Sequence, residues 1–242
     1  DTLECLESLR ALTHPEFQVI VVDNGSTNDS VERIVAWAGK AGARLERVVP
    51  GSPPGAARDA LVRLRAAPSR DRLLLIETGA NLGFAAGNNV ALRAALAAGY
   101  PYLNLLNNDT TVEPDYLTRL VDALDRNPDW AAVGPKILFH HDPARIWYAG
   151  GRLRLRRANA THDGLGGPDG EEWRGRRRTE HVSGCCFLAP AATLERFGLL
   201  DEDYFFGHED WAYSTRLRAA GQVVGVDLDA RIYHKSGGSW GT

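Results

Sequence analysis

Short apolar segments alternate with helical segments over about the first 130 residues of this 242-residue chain. The segments Phe17–Val22, Leu73–Ile76 and Tyr102–Leu106 have the length and composition of strands buried on both faces. Helical stretches separate them, including one over 31–40 and an Ala-rich one ending at Gly99. Strands that alternate with helices pack into a largely parallel sheet, so the sequence predicts a doubly wound α/β fold.

The rest of the chain divides into further elements by periodicity and by turn residues. We predict a helix over 1–12, a strand over 44–49, a Pro/Gly/Arg-rich surface excursion with one short helix over 51–71, and a helix from Pro114 to about Asn127. Shorter strands over 131–139, 145–151 and 185–189, a helix over 210–220 and a short strand before His234 follow. We expect one domain over 1–242, with a nucleotide-binding half over 1–130 and a more irregular half over 131–242.

Composition excludes two classes of protein. A net charge of −3 argues against a nucleic-acid-binding protein with a generally basic surface. No apolar run reaches the roughly 20 residues that a membrane-spanning helix needs. Peripheral attachment to a membrane stays open as an alternative, and the sequence says nothing of the oligomeric state.

The three cysteines indicate the compartment. Cys185 and Cys186 are adjacent, Cys5 is distant in sequence, and no CxxC spacing indicates zinc. This pattern predicts reduced, buried thiols in a cytoplasmic protein, either free or at the inner face of the membrane. The chain begins at Asp1 and contains no Met, so we expect that its natural start is missing.

Two polar clusters follow predicted strands, at the strand ends where ligands bind in such sheets. Asp23–Ser26 (DNGS) contains a carboxylate suited to a base or ribose, although a plain strand-exit turn is the alternative. Asn81–Asn89 (NLGFAAGNN) contains two glycines that allow close backbone approach, with a helix-entry loop as its alternative. The latter is neither a GxGxxG motif nor a P-loop, which argues against a nicotinamide dehydrogenase and against an ATPase.

A third cluster, Asn107–Thr110, follows the strand over 102–106. A carboxylate flanked by amides there suits Mg²⁺ or Mn²⁺, which take few protein ligands and accept diphosphate oxygens and water for the rest. An ordinary Asn/Asp turn is the alternative. Farther along, Glu209 and Asp210 stand at the start of a predicted helix, between His208 and Trp211, and carboxylates at this position are commonly caps. His234 follows a short strand, and a lone histidine there is more often structural than a ligand.

In this order the motifs DNGS, NLGFAAGNN, LLNND, FFGHEDWAYSTRLRAAG and YHKSGGS resemble family 2 glycosyltransferases of the GT-A fold. The resemblance runs from Asp1 to about Ser239, with the closest likeness to the bacterial rhamnosyltransferase and galactofuranosyltransferase branch. It implies an α/β GT-A fold with a doubly wound mixed sheet. It also implies inverting, metal-dependent transfer from a dTDP-, UDP- or GDP-linked sugar to a glycan or lipid-linked acceptor, in cell-surface polysaccharide or glycoconjugate synthesis.

The resemblance also implies the site residues. Asp210 would be the general base with Glu209 beside it, Asp109 and His234 would hold Mg²⁺ or Mn²⁺, and Trp211 and His208 would contact the acceptor. The implied donor-binding residues are Asp23, Asn24, Ser26, Asn81, Gly83, Gly87, Asn88 and Asn108.

The chain departs from the family pattern in three places. The opening strand that lines the base pocket is absent before Asp1, and the metal motif has one carboxylate where many members have two or three. We therefore expect weaker metal binding. The excursion over 51–71 has no family role that we can assign.

Arginine accounts for all but three of the 28 basic residues, and two groups of arginines flank a Gly-rich loop. The groups are Arg152, Arg154, Arg156 and Arg157, and Arg174, Arg176, Arg177 and Arg178. They form either a solvated hairpin or a site for an anionic acceptor or membrane surface. Two other functions stay open: a non-catalytic nucleotide- or carbohydrate-binding module, and a nucleotidyltransferase, although the basic Gly-rich loop of the latter is not present near the N-terminus.

Overall fold

A computed structural model describes residues 1–67, 69–154 and 159–235. The elements follow in this order: α1 (Thr2–Arg10), β1 (Val19–Asp23), α2 (Ser30–Ala41), β2 (Arg44–Val48), α3 (Ala56–Leu64), a 3₁₀ turn (Ser69–Asp71), β3 (Arg72–Glu77), α4 (Phe84–Ala97), β4 (Tyr102–Leu106), β5 (Thr110–Val112), α5 (Tyr116–Arg126), β6 (Trp130–Phe139), β7 (Ile146–Tyr148), β8 (Gly151–Arg154), β9 (Asn159–His162), β10 (Arg176–Thr179), β11 (Cys186–Pro190), α6 (Ala191–Phe197), α7 (Glu209–Ala219) and β12 (Val223–His234).

Contacts between residues divide the chain into two compact units. The first unit comprises Asp1–His14, Asn104–Gly198 and the described residues from Asp210 onward. The second unit comprises Pro15–Leu103 and Leu199–Glu209. The expectation of one domain over 1–242, with halves over 1–130 and 131–242, stays a prediction.

The second unit is built on a parallel sheet in the order β1-β3-β2. Its central strand, β3, is buried from Arg72 to Ile76, as its unbroken apolar sequence predicts. The register pairs Val19 with Leu73 and Asp23 with Glu77, so β1 and β3 end at the same edge of the sheet. That edge carries the loops that precede α2 and α4.

Helix α3 contributes to the core of the second unit. Ala60, Leu61 and Leu64 are fully buried, and they pack in one cluster with Leu74 and Ile76 of β3. The expectation that residues 51–71 form a surface excursion was therefore wrong for this helix. Its apolar residues recur at helical spacing and form a stripe that faces the sheet.

A mixed sheet forms the centre of the first unit, in the order β10-β12-β6-β11-β4. Strand β12 lies parallel to β6 and antiparallel to β10, and its last residues pair with β5. The pairing of β12 with β6 shifts register between Asp227 and Arg231. The mixed α/β architecture expected from the alternation of elements is confirmed.

The sequence analysis missed the short strands β5, β9 and β10 and the helix α6, and it predicted only the end of β12. Each missed strand has three or four residues and is polar or flanked by polar residues, so the apolar pattern is too brief to mark it. Cys5, Cys185 and Cys186 are buried and free of disulfides, as predicted. No helix within the described residues is long and apolar enough to cross a membrane.

Candidate functional site

The DNGS motif forms a tight turn at the end of β1. A carboxylate oxygen of Asp23 accepts a hydrogen bond from the backbone N–H of Ser26 at 3.2 Å, and the Asp23 side chain is buried. Gly25 has a φ of +78°, and a Cβ there would lie 2.5 Å from the carbonyl carbon of Ala80. Glycine is therefore required because the turn packs directly on the backbone of the next loop.

Asn24 joins the DNGS turn to the NLGFAAGNN loop. Its Nδ2 donates to Oδ1 of Asn81 at 3.1 Å and to the carbonyl oxygen of Gly83 at 3.0 Å. Its Oδ1 accepts from the backbone N–H of Leu82 at 3.0 Å. A Cβ at Gly87 would lie 3.2 Å from the Asn24 side chain. The structure thus brings two of the predicted clusters together and uses Asn24 and Asn81 to join them.

The paired asparagines of α4 differ in their surroundings. Asn88 is half-buried and donates to the carbonyl oxygen of Phe84 in the preceding turn. Asn89, which the sequence analysis did not select, is 1% exposed and hydrogen-bonds to Leu200 and Glu202. The available signal was its helical spacing from the buried residues Ala85 and Leu92, which places an amide on an apolar face.

In the first unit Asp109 and His234 lie side by side. The loop after β4 turns tightly, because Oγ1 of Thr110 donates to the carbonyl oxygen of Asn107, and Thr110 then pairs with His234 in the β5–β12 ladder. Nε2 of His234 is 3.2 Å from Oδ2 of Asp109, and both side chains are largely buried. The structure therefore brings the two predicted metal ligands together.

The remaining polar atoms of this pair have no hydrogen-bond partner among the described residues. Burial raises the pKa of the Asp109 carboxyl, but the hydrogen bond and charge of His234 outweigh burial, and the pKa is lowered overall. The two atoms without a partner, Oδ1 of Asp109 and Nδ1 of His234, are both buried. Buried polar atoms in proteins are nearly always paired with a protein group, a water or an ion.

Of the two ions expected here, Mn²⁺ fits this pair better than Mg²⁺, because a carboxylate suits both ions whereas an imidazole nitrogen is a rare ligand of Mg²⁺. The described residues contain no group of three or more His, Cys, Asp or Glu that could hold a metal. Ions of this kind are commonly held by one or two protein ligands, with substrate phosphate and water completing the shell. One carboxylate and one imidazole would suffice for such a partial site.

Trp147 packs against His234. Its ring lies edge-to-face with His234 and with His162, at centroid distances of 4.7 Å in both cases. Burial lowers the pKa of His162 to about 4, with the neighbouring His181 adding to the effect, so His162 is neutral at physiological pH. Sequence reasoning missed Trp147, since it lies in a short strand with no motif around it.

Asp210, at the start of α7, has its carboxylate fixed by the backbone. Oδ2 accepts from the N–H of Gly184 at 2.7 Å, and Oδ1 accepts from the N–H of Trp211 at 2.8 Å. Burial raises the pKa of Asp210, and these hydrogen bonds and the charge of His181 only partly oppose it. A raised pKa makes a carboxylate a stronger base than an ordinary aspartate, which suits it to accept a proton.

The neighbours of Asp210 have distinct positions. Glu209 is buried at the first residue of α7, and Trp211 is half-buried. His208 is exposed and has a φ of +75°, a left-handed conformation that is uncommon outside glycine. Asn108 in the first unit donates to Oγ1 of Thr2 at 2.9 Å, so its amide contacts α1.

Three of the four arginines of the second group contact acidic side chains, and the fourth, Arg177, donates to the backbone carbonyl oxygen of Glu172. Arg174 contacts Asp169, Arg176 contacts Asp122 and Asp227, and Arg178 contacts Asp129. These pairs favour a structural role over an anion-binding one. Arg152 and Arg154 are exposed on β8, whereas Arg156 and Arg157 lie outside the described residues.

Comparisons with known proteins give a family and a fold. A family model described as "Glycosyltransferase like family 2" matches residues 2–242. A search of curated proteins found no match. Among solved structures, the crystal structure of GalNAc-T7 with UDP, GalNAc and Mn²⁺ is similar at a TM-score of 0.61 and 12% identity. The match covers 90% of this chain and 37% of that one, and at this identity it shows the fold alone.

Proposed function

This chain belongs to glycosyltransferase-like family 2 and has the GT-A fold that its motifs predict, and from this premise we propose an inverting, metal-dependent sugar transfer. The donor would be a dTDP-, UDP- or GDP-linked sugar, and the acceptor a hydroxyl of a glycan or lipid-linked acceptor. The observation that carries the proposal is the buried Asp109–His234 pair, in which one oxygen and one nitrogen have no hydrogen-bond partner among the described residues.

Asp109 and His234 would hold the metal. Mg²⁺ or Mn²⁺ at this position would supply positive charge that neutralises the diphosphate leaving group. The lowered pKa of Asp109 keeps its carboxylate ionised, as a ligand must be. The solved structure of similar fold was crystallised with UDP and Mn²⁺, which supports a nucleotide and a divalent ion as the first probes.

Asp210 would act as the general base. Its carboxylate accepts the proton of the acceptor hydroxyl while that oxygen bonds to the anomeric carbon. The bond between the anomeric carbon and the diphosphate breaks, and the diphosphate leaves with the electron pair. One carboxylate suffices because no covalent intermediate forms. Glu209 would orient the acceptor or the base, and Trp211 and His208 would contact the acceptor.

The second unit would bind the nucleoside. Asp23 and Ser26 would contact the base or ribose, while Asn24 and Asn81 join the two loops, as their mutual hydrogen bond supports. The remaining donor contacts are assigned to Gly83, Gly87, Asn88 and Asn108. We place the protein in the rhamnosyltransferase and galactofuranosyltransferase branch, in cell-surface polysaccharide or glycoconjugate synthesis in the cytoplasm, with the inner face of the membrane as the site of a lipid-linked acceptor.

A nucleotide screen tests the proposal. Thermal unfolding is measured with UDP, GDP and dTDP, each with and without Mn²⁺, followed by a transfer assay with sugars of the nucleotide that binds. We expect one nucleotide to stabilise the protein in a metal-dependent manner, by about 2.7 kcal/mol at a concentration 100 times its Kd. Metal-independent binding without turnover would instead indicate a non-catalytic binding module.

A further inference from the structure

The segment Leu199–Phe206, which precedes α7, is hydrogen-bonded to α4 through one buried side chain. Nδ2 of Asn89 donates to the carbonyl oxygen of Leu200 and to Oε1 of Glu202, both at 2.8 Å. Oδ1 of Asn89 accepts from the backbone N–H of Leu200 at 3.2 Å. The amide of Asn89 thus binds both backbone groups of one residue in the segment.

Contacts at the beginning of α4 hold the far end of the same segment. The backbone N–H of Phe84 donates to the carbonyl oxygen of Phe205 at 2.8 Å. A Cβ at Gly83 would lie 2.6 Å from that oxygen, so the glycine allows this approach. The start of α4 and the segment therefore touch at backbone distance, within the second unit.

Apolar packing holds only part of the segment. Leu200 is buried, but Tyr204, Phe205 and Phe206 are 38%, 59% and 57% exposed. An aromatic run with this exposure gains little from burial, and the hydrogen bonds to α4 contribute to holding it in place. Since a buried amide that loses its partners is costly, Asn89 is the contact whose removal should affect the segment most.

We propose that Asn89 of α4 is a positioning residue that holds the segment Leu199–Phe206, and with it the nearby Glu209, in a fixed place relative to the loop Asn81–Gly83 that precedes α4. The inference rests on the proposed function, in which that loop binds the donor nucleoside and Glu209 orients the acceptor or the base. Asn89 would then act on turnover through the segment, and it would leave nucleotide affinity nearly unchanged.

The test exchanges the two members of the Asn89–Glu202 contact. Asn89→Asp places two carboxylates at hydrogen-bond distance and removes the donor to Leu200, so the segment should detach. Glu202→Gln alone keeps a carbonyl oxygen that accepts from Asn89 and removes only the charge that faces the exposed Arg93, so it is the control. In the double variant the new amide at 202 donates to the new carboxylate at 89, which restores the contact between these two residues but not the hydrogen bond to the carbonyl oxygen of Leu200, so we expect partial recovery.

Three measurements are made on wild type and the three variants: kcat, the Kd of the nucleotide, and hydrogen exchange of the peptide covering 199–206. We expect Asn89→Asp to lower kcat at least tenfold with less than a threefold change in Kd, and to raise exchange in 199–206. Glu202→Gln should behave as wild type, and the double variant should recover at least a third of the lost kcat.

Each outcome decides one of the two proposals. Unchanged kcat in a folded Asn89→Asp protein, or equal losses of kcat in the single and the double variant, would overturn the positioning role. If wild type shows no transfer at all, the proposed function fails, and exchange over 199–206 still decides whether Asn89 holds the segment. Exchange that does not rise in Asn89→Asp would then reject the positioning role as well.

Discussion

Nε2 of His234 lies 3.2 Å from Oδ2 of Asp109, at the point where the end of β12 meets the start of β5. Strand pairing, not proximity in sequence, produces this contact. Because the other oxygen of Asp109 and the other nitrogen of His234 are buried and unpaired among the described residues, the pair has the polar groups of a partial metal site.

Removing the imidazole should weaken metal binding. His234→Ala takes away one of the two protein ligands, so we expect Mn²⁺ affinity to fall by more than about tenfold, since even residues that only support a ligand typically cost 10–100-fold. The measurement is titration calorimetry with Mn²⁺ in the presence of the binding nucleotide. His140→Ala is the matched control, because His140 also contacts a carboxylate, that of Glu4, but is more exposed. Equal affinities in His234→Ala and wild type would remove His234 from the metal site.

Replacing the proposed base should separate binding from chemistry. Asp210→Asn retains an oxygen that can accept from Gly184 but cannot take a proton, so we expect kcat to fall by about 10²–10⁴ while nucleotide binding is retained. Turnover and nucleotide Kd are measured on the same preparation. Asp229→Asn provides the control, since its carboxylate also accepts from a glycine N–H, that of Gly175. Near-normal turnover in Asp210→Asn would falsify the assignment.

The pH dependence of turnover should reflect the raised pKa of Asp210. Only the carboxylate form accepts a proton, and burial raises its pKa above the ordinary value of 3.8. Activity should therefore be lost on acidification at a higher pH than an ordinary aspartate would require. The measurement is kcat against pH at saturating donor. An acid limb at or below pH 3.8 would contradict the burial argument.

The raised pKa of Asp210 should also make the free energy of unfolding depend on pH. The pKa of Asp210 is higher in the folded protein than in the unfolded one, so between these two pKa values the folded protein binds more protons. As pH rises through this window between the two pKa values, the contribution of Asp210 to the free energy of unfolding therefore decreases. Asp210→Asn removes this dependence. We expect the variant to gain stability relative to wild type as pH rises through the window, as measured by urea denaturation at several pH values. A relative loss of stability over the same rise would reverse the sign and reject the prediction.

Gly25→Ala should perturb both stability and nucleotide binding. The substitution forces a residue with a Cβ to φ of +78° and places that atom 2.5 Å from the backbone of Ala80. We expect a loss of more than the roughly 1–2 kcal/mol that the left-handed conformation alone costs, and a weaker nucleotide Kd.

Gly99→Ala separates the cost of the left-handed conformation from the cost of the close contact with the Ala80 backbone. Gly99 has a φ of +75°, and a Cβ there would have nothing within 4 Å, so its substitution should cost only the conformational part. Urea denaturation of both variants gives the difference. If the two variants lose equal free energy of unfolding, the close approach of the DNGS turn to the Ala80 backbone adds nothing to the cost of Gly25→Ala.

The sequence predicts the strands of the second unit and the polar clusters at the strand ends, because the signal for each of them is local. Unbroken apolar runs mark β1 and β3, and the polar residues after β1 and β4 mark the strand ends. The Asp109–His234 contact was expected from the family resemblance, whereas its geometry follows from the pairing of β5, a strand too short to recognise.

Other features depend on partners that are distant in sequence. The role of Asn89 depends on Leu200 and Glu202, and a single sequence contains no signal that connects them. The burial of α3 follows from its packing on β3, although the Pro/Gly-rich residues before it suggested a surface loop. Likewise, nothing in the arginine pattern shows that Arg176 is paired with Asp122 and Asp227.

The register of β12 restricts which changes in chain length the protein can tolerate. Side chains alternate between the two faces of a strand, so one residue inserted or deleted between Arg231 and His234 would turn the imidazole to the opposite face or move it out of line with Thr110. Loops of this chain can change in length without that consequence. We therefore expect the loops to tolerate insertions and deletions, whereas the last residues of β12, from Arg231 to His234, should tolerate none.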